Sequence, residues 1–528
     1  MSDSDRMRAG VVACMVALGW TALAAHAAGA PLTVRTQYGW VRGARTQGVI
    51  AFKGIPYAAP PQGALRWAAP QPPQRWRGVR TALKFGPDCM QRPTPGDMAP
   101  LRTRPSENCL YVNVWRPAQA SRKPLPVMVW IYGGWYVDGG TSPAIYDGAS
   151  FARHGVVLVS FNYRLGNFGF FAFPALVRRA LPAGDFGFMD QITALKWVQH
   201  NIAAFGGNPR NVTLFGESAG GASVNALLIS PRARGLFQKA IIESGGGAGW
   251  LGPDRPLLAG AHSAQAIGVR LARQFGITGQ GMKGLAALRA LPAAKVLDGV
   301  NMLTRARVRG YVGGPVVDES LYFGPAVRAY AKGMGERVPV MIGTNSADLG
   351  WMRAKSLPAL FDEFGRYAAE ARVLFDPGGK LPLQQLSAEV GGALWMIEPA
   401  RAIARILSAR GQPVYAYRYS YIPTAMRKKW WGAWHATEIP FVFDTVKARY
   451  GALTSPADEA MARTLQRYWI AFARSGRPDP AGEPAWPRYR AGAGRLMDFT
   501  EHGPVVGPDP YRQRLDLVLR AGLQKPGT

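Results

Sequence analysis

The chain has 528 residues, 48% of them hydrophobic, and a formal net charge of +30 from 63 Lys and Arg against 33 Asp and Glu. That length exceeds the usual size of one domain, so the chain forms either several domains or one large body with long insertions. The sequence excludes a repeat array and a coiled coil, and beyond the N-terminus no apolar stretch is long enough to span a bilayer. The basic residues are scattered, with no basic helix, so nucleic acid is not an expected partner. Weak association with anionic surfaces stays open. The longest basic run, Arg427-Lys428-Lys429, is followed by Trp430-Trp431.

At the N-terminus, Arg6 and Arg8 precede an apolar run from Ala9 to Ala25, and Ala25-His26-Ala27 offers a small-x-small cleavage site. This is the layout of a secretory signal peptide over residues 1–27, which leaves 28–528 as the mature body. The expected location is secreted or periplasmic. Cys14 would leave with the signal peptide. Cys89 and Cys109 remain, and a single pair in an exported chain suggests a disulfide, with two free buried thiols as the alternative.

Residues 31–85 hold short strand-like pieces and a proline-rich loop at Gly54–Pro61. Leu110–Trp115 alternates as a strand, and Val127–Tyr132 and Val156–Tyr163 are nearly continuous apolar runs, as in central strands covered on both faces. Helical spacing follows over Asp190–Phe205. Further strands are expected at Val212–Leu214, Lys239–Glu243, Val338–Ile342 and Val414–Tyr419. Strands alternating with helices predict a doubly wound α/β sheet, large and mostly parallel. Residues 250–335 and 345–410 read as helical insertions over the carboxyl ends of that sheet.

Gly216-Glu217-Ser218-Ala219-Gly220 follows the Val212–Phe215 run and precedes a small-residue helix. That context is what a G-x-S-x-G nucleophile elbow requires, a sharp strand-to-helix turn that only small neighbours permit. A serine nucleophile needs a base, a group to orient the base, and donors for the oxyanion. His435 is the histidine that fits the chain order serine, acid, base. The acid should end a strand between them, and Asp348 competes with Asp318 and Glu319 for that place. The glycine-rich segment Tyr132–Gly140 leaves a central strand and suits an oxyanion loop, with the Ala219 N–H as the other donor. No metal-ligand cluster or phosphate loop is present, so neither metal nor cofactor is expected.

These residues, with Phe52–Ala58, Ser106–Val114, Asn162–Gly166 and Asn201–Pro209, resemble the type-B carboxylesterases, a family that includes bacterial para-nitrobenzyl esterases and the cholinesterases. The resemblance implies an α/β-hydrolase fold and hydrolysis of small-molecule esters. Under it Ser218 matches the nucleophile and His435 the base. Asp348 takes the place where the family usually has Glu. Gly134, Trp135 and Ala219 match the oxyanion donors, Glu217 and Ser244 match residues that support the triad, and Cys89 and Cys109 match a disulfide loop. Two departures stand out: Trp135 replaces a Gly or Ala, and Leu349 replaces a Gly after the acid. An indole at Trp135 is expected to narrow the acyl site toward short chains or to shape an aromatic pocket. Amide, lactone and carbamate hydrolysis use the same triad, and a non-catalytic binding protein is the alternative of another class.

Overall fold

The computed structural model describes residues 30–177, 184–247, 255–258, 260–297, 299–304, 314–350 and 352–523. The expected signal peptide, residues 1–27, lies outside them.

The strands are β1 (Thr33–Thr36), β2 (Gly39–Arg42), β3 (Ala44–Thr46), β4 (Val49–Pro56), β5 (Val79–Thr81), β6 (Tyr111–Pro117) and β7 (Leu125–Ile131) in the first part of the chain. They continue with β8 (Val157–Phe161), β9 (Gly207–Glu217), β10 (Lys239–Glu243), β11 (Val340–Asn345), β12 (Val414–Tyr419), β13 (Arg495–Thr500) and β14 (Gly503–Pro508). An 11-stranded sheet has the order β14-β13-β12-β11-β10-β9-β7-β8-β6-β4-β3, and a small sheet holds β1-β2-β5. Strands β8, β7, β9, β10, β11, β12 and β13 run parallel, and antiparallel strands finish both edges. The parallel strands are apolar on both faces because helices cover both: every residue of β8 and β10 is buried.

The strand order positions the site. From β7 the chain moves outward to β8, then returns to place β9 on the other side of β7. The carboxyl ends of β7 and β9 therefore flank a topological switch point, where connections diverge and leave a crevice. The glycine-rich loop leaves β7 there, and Ser218 leaves β9.

The regions expected to be insertions divide. Helices Leu357–Asp362, Ala368–Phe375 and Leu383–Gly392 form a separate apolar cluster with the C-terminal helix Arg512–Arg520, and Trp135 and Leu349 pack against it. Helices Ala326–Ala331 and Glu398–Ala409 instead belong to the flank of the sheet. The first packs on helix Ala219–Ile229, and the second on β11 and β12. The sharp amphipathic pattern of Glu398–Ala409 is that of a helix laid on a sheet, and it looks the same in sequence as an insertion helix. Strands β13 and β14 escape the sequence reading: β14 is an edge strand with Gly and Pro at both ends, and β13 pairs with it between β12 and the edge.

Candidate active site

Ser218 sits where β9 meets helix Ala219–Ile229, with φ 57° and ψ −123°. A side-chain-bearing residue there is strained, and close packing around it holds the turn in place. A Cβ at Gly220 would lie 2.0 Å from the Ile131 carbonyl oxygen, and one at Gly216 would lie 2.6 Å from the same atom. The two glycines let the elbow nest against the end of β7. The Ala222 N–H donates to the Ser218 carbonyl at 2.8 Å, so Ser218 caps the helix and Ala219 begins it. The positive end of the helix thus points at the serine.

The His435 Nε2 lies 2.9 Å from the Ser218 Oγ, and its Nδ1 lies 2.6 Å from the Asp348 Oδ1. Asp348 follows β11 and His435 lies in the segment that leaves β12. Ser244 follows β10, between them and Ser218 in the sheet. Asp348 is enclosed by donors: the Ser244 hydroxyl reaches its Oδ2 at 2.7 Å and the Asn345 N–H does so at 3.0 Å. The Leu349 N–H donates to its Oδ1 at 2.7 Å. Asp318, the rival acid, instead accepts from the N–H groups of Ser320, Leu321 and Tyr322 in its own turn. Glu319 lies in that same turn at φ 56°.

Three buried carboxyl groups, Glu217, Asp348 and Glu438, act on His435, with Glu243 beyond them beside Glu217 and Glu438, and the four are not equivalent. Burial pushes the Asp348 carboxyl up, but the His435 charge and the hydrogen bonds from His435, Ser244 and Asn345 outweigh it and hold the group below its usual range. Burial dominates at Glu217 and Glu243, both raised well above the ordinary glutamate value. It also raises Glu438 to about 7. Burial alone would lower His435, but the carboxylates of Glu217 and then Asp348 reverse this and push it up to about 9. Glu217 makes that contact directly, with its Oε1 at 3.2 Å from the His435 Nε2.

Asn345 and Glu438 were not singled out by sequence reasoning. The Asn345 Nδ2 donates to the Trp434 carbonyl at 2.6 Å and to the Glu438 Oε2 at 2.5 Å, which ties the acid loop to the histidine segment. Their only sequence signal is a polar residue at the end of an apolar strand and a glutamate one helical turn after His435.

The loop after β7 presses on Ser218: a Cβ at Gly133 would lie 2.8 Å from the Ser218 Cβ. Trp135 and Tyr136 follow in left-handed conformations, at φ 57° and 60°. Ser218 and His435 open into a cavity of about 180 Å³ walled by Gly133, Gly134, Trp135, Met302 and Leu349. Met98 and Ala99 add a further wall. These two belong to the loop closed by the Cys89–Cys109 disulfide. Gln91 pins that loop to the strap after β7 through paired hydrogen bonds with Gly139, at 2.6 and 2.8 Å. Among the described residues no group of His, Cys, Asp and Glu is placed to hold a metal ion, and no helix is long and apolar enough to cross a membrane.

A serine on a strand-to-helix elbow at the switch point of a mostly parallel sheet defines an α/β-hydrolase. The model of the carboxylesterase family matches residues 30–373 and 382–517. The chain is 36% identical over 470 residues to the para-nitrobenzyl esterase of Bacillus subtilis (strain 168), covering 86% of this chain and 92% of that one. It is 34% identical over 513 residues to the fumonisin B1 esterase of Sphingopyxis macrogoltabida, covering 93% and 91%. A solved structure of PNB esterase superposes with a TM-score of 0.78 at 32% identity, covering 92% of this chain and 99% of that one. The chain belongs to the carboxylesterase family and is an ester-hydrolysing enzyme.

Proposed function

We propose that the protein is an exported serine carboxylesterase that cleaves small or short-acyl esters through an acyl-enzyme on Ser218. The observation that carries this reading is the unbroken hydrogen-bonded chain from the Ser218 Oγ through His435 to Asp348. The Ser218 Oγ attacks the ester carbonyl while the His435 Nε2 takes its proton. Asp348 holds the Nδ1–H tautomer and stabilises the imidazolium that forms. The N–H groups of Gly134, Trp135 and Ala219 receive the oxyanion, each worth about 3 kcal/mol in the transition state. His435 then gives its proton to the leaving alkoxide. In the second half it deprotonates the water that attacks the acyl carbon, and Ser218 is released.

The preference for short acyl groups rests on the cavity of about 180 Å³ and on Trp135 and Leu349 in its wall. Both stand where the family pattern has small residues. Trp135→Gly is expected to keep activity on p-nitrophenyl acetate and to raise turnover of the octanoate and laurate esters. An unchanged acyl-length profile would refute the assignment of Trp135 as the limiting wall. Export through cleavage of residues 1–27 agrees with the Cys89–Cys109 disulfide, a bond that persists in oxidising compartments. N-terminal sequencing of the protein recovered from periplasm or medium tests it, and a chain still beginning at Met1 overturns it.

A further inference from the structure

The segment that leads into His435 carries a ridge of aromatic and basic side chains that the catalytic chemistry does not use. Trp430 stacks on Trp434, with ring centroids 4.8 Å apart and planes at 18°, and Trp431 meets Trp434 at 5.4 Å. Trp431 and Trp434 remain 44% and 37% exposed, whereas Trp67, Trp115, Trp130, Trp469 and Trp486 are almost wholly buried. The exposure does not come from a loose loop. The Ala433 N–H donates to the Ser346 Oγ at 2.9 Å, and the Ala347 N–H donates to the Ala433 carbonyl at 2.9 Å. Asn345 holds the Trp434 carbonyl from the same side. Two indoles are thus held rigidly in water, where a core-forming fold would ordinarily cover them.

Immediately before the indoles, Arg427, Lys428 and Lys429 are exposed. Arg427 pairs with Glu501 at 3.4 Å and lies over the Tyr421 ring. Lys428 and Lys429 have no acidic partner among the described residues. Uncommitted ammonium groups beside exposed indoles are the pairing found at membrane–water interfaces. There indole rings settle at headgroup depth and lysines meet anionic headgroups.

We propose that this ridge docks the enzyme on an anionic phospholipid surface. The net charge of +30 supplies long-range attraction to such a surface. The same charge disfavours a second copy of the chain as the occupant, since two basic ridges would repel. Single-stranded nucleic acid fits less well, because base stacking needs open aromatic faces and Trp430 and Trp434 each cover one face of the other. The contact is peripheral: indole insertion and lysine–headgroup pairing add to each other, and high salt screens the lysine–headgroup part and so weakens binding reversibly.

The test is co-sedimentation of the purified protein with phosphatidylcholine vesicles, with and without phosphatidylglycerol, while indole fluorescence is recorded. The expected result is sedimentation with phosphatidylglycerol-containing vesicles only, with a blue shift of the emission. Trp431→Ala and the double variant Lys428→Glu/Lys429→Glu should each weaken binding about tenfold or more at physiological ionic strength. Neither should change turnover of soluble p-nitrophenyl acetate, which shows that both variants fold. Three results would overturn the proposal. One is no sedimentation with anionic vesicles. Another is equal binding by the double variant, which would assign the effect to diffuse surface charge. The third is binding of a single-stranded oligonucleotide, lost in the same variants, with no binding of vesicles.

Discussion

The two sides of the candidate site are held by different forces. On the serine side, steric fit does the work. β9, the elbow and helix Ala219–Ile229 pack so closely on the end of β7 that glycine alone fits at positions 216 and 220. On the acid and histidine side, a polar network does it. Asp348 and His435 sit in loops beyond β11 and β12, and Ser244, Asn345 and Glu438 lash them together. The first side tolerates no added atom. On the second, several donors share one carboxylate, and the arrangement depends on which carboxyl group carries the charge.

Adding one methyl group tests the steric side. A Gly220→Ala side chain would meet the Ile131 carbonyl at 2.0 Å, so either β7 or the elbow must move. The expected outcome is loss of activity together with destabilisation of about 4 kcal/mol or more, read from denaturant unfolding. An active variant of parent stability would show that the elbow has slack that the packing denies.

On the polar side, Asp348→Asn preserves shape but removes the charge and imposes the wrong tautomer on His435. Turnover of p-nitrophenyl acetate should fall by about 10⁴ with the fold intact. A loss below tenfold would mean that another of the buried carboxyl groups serves His435. Ser244→Ala removes one of several donors to Asp348 and should cost about tenfold in kcat/KM, the worth of one hydrogen bond to a charged group.

The finest probe is the pH profile. In the proposed mechanism His435 is a base only when neutral, and its neighbours push it up to about 9. Activity should therefore rise with pH along a limb displaced to the alkaline side of an ordinary imidazole. Glu217→Gln removes the carboxylate that contributes most to this push, so the limb should move to lower pH. A limb that stays in place would show that Glu217, itself raised by burial, is already neutral across that range.

The same contrast explains what sequence made legible. The elbow is local: strand, glycine, serine, glycine and helix lie within consecutive residues, so Ser218 and its turn can be read directly. The family motifs carry the sheet and its helical flanks for the same reason. The acid is not local. Asp348 and Asp318 both follow apolar runs, and what separates them in space is that turn N–H groups and the Ser320 hydroxyl occupy the Asp318 oxygens while His435 meets Asp348. Asn345 and Glu438 have no motif of their own, because a buried polar network is defined by its partners across the fold. Helix Glu398–Ala409 shows the same limit for packing. Its apolar stripe states that one face is covered, but not whether the cover is the sheet or an insertion.

The most direct test of the account is the reaction of the purified enzyme with a fluorophosphonate, followed by peptide mass mapping, beside a stopped-flow record of p-nitrophenyl acetate hydrolysis. The expected result is stoichiometric phosphonylation of Ser218 with complete loss of turnover, and a burst of p-nitrophenol equal to the enzyme concentration where deacylation is slower than acylation. Phosphonylation elsewhere, or hydrolysis that persists after Ser218 is modified, would contradict an acyl-enzyme on Ser218.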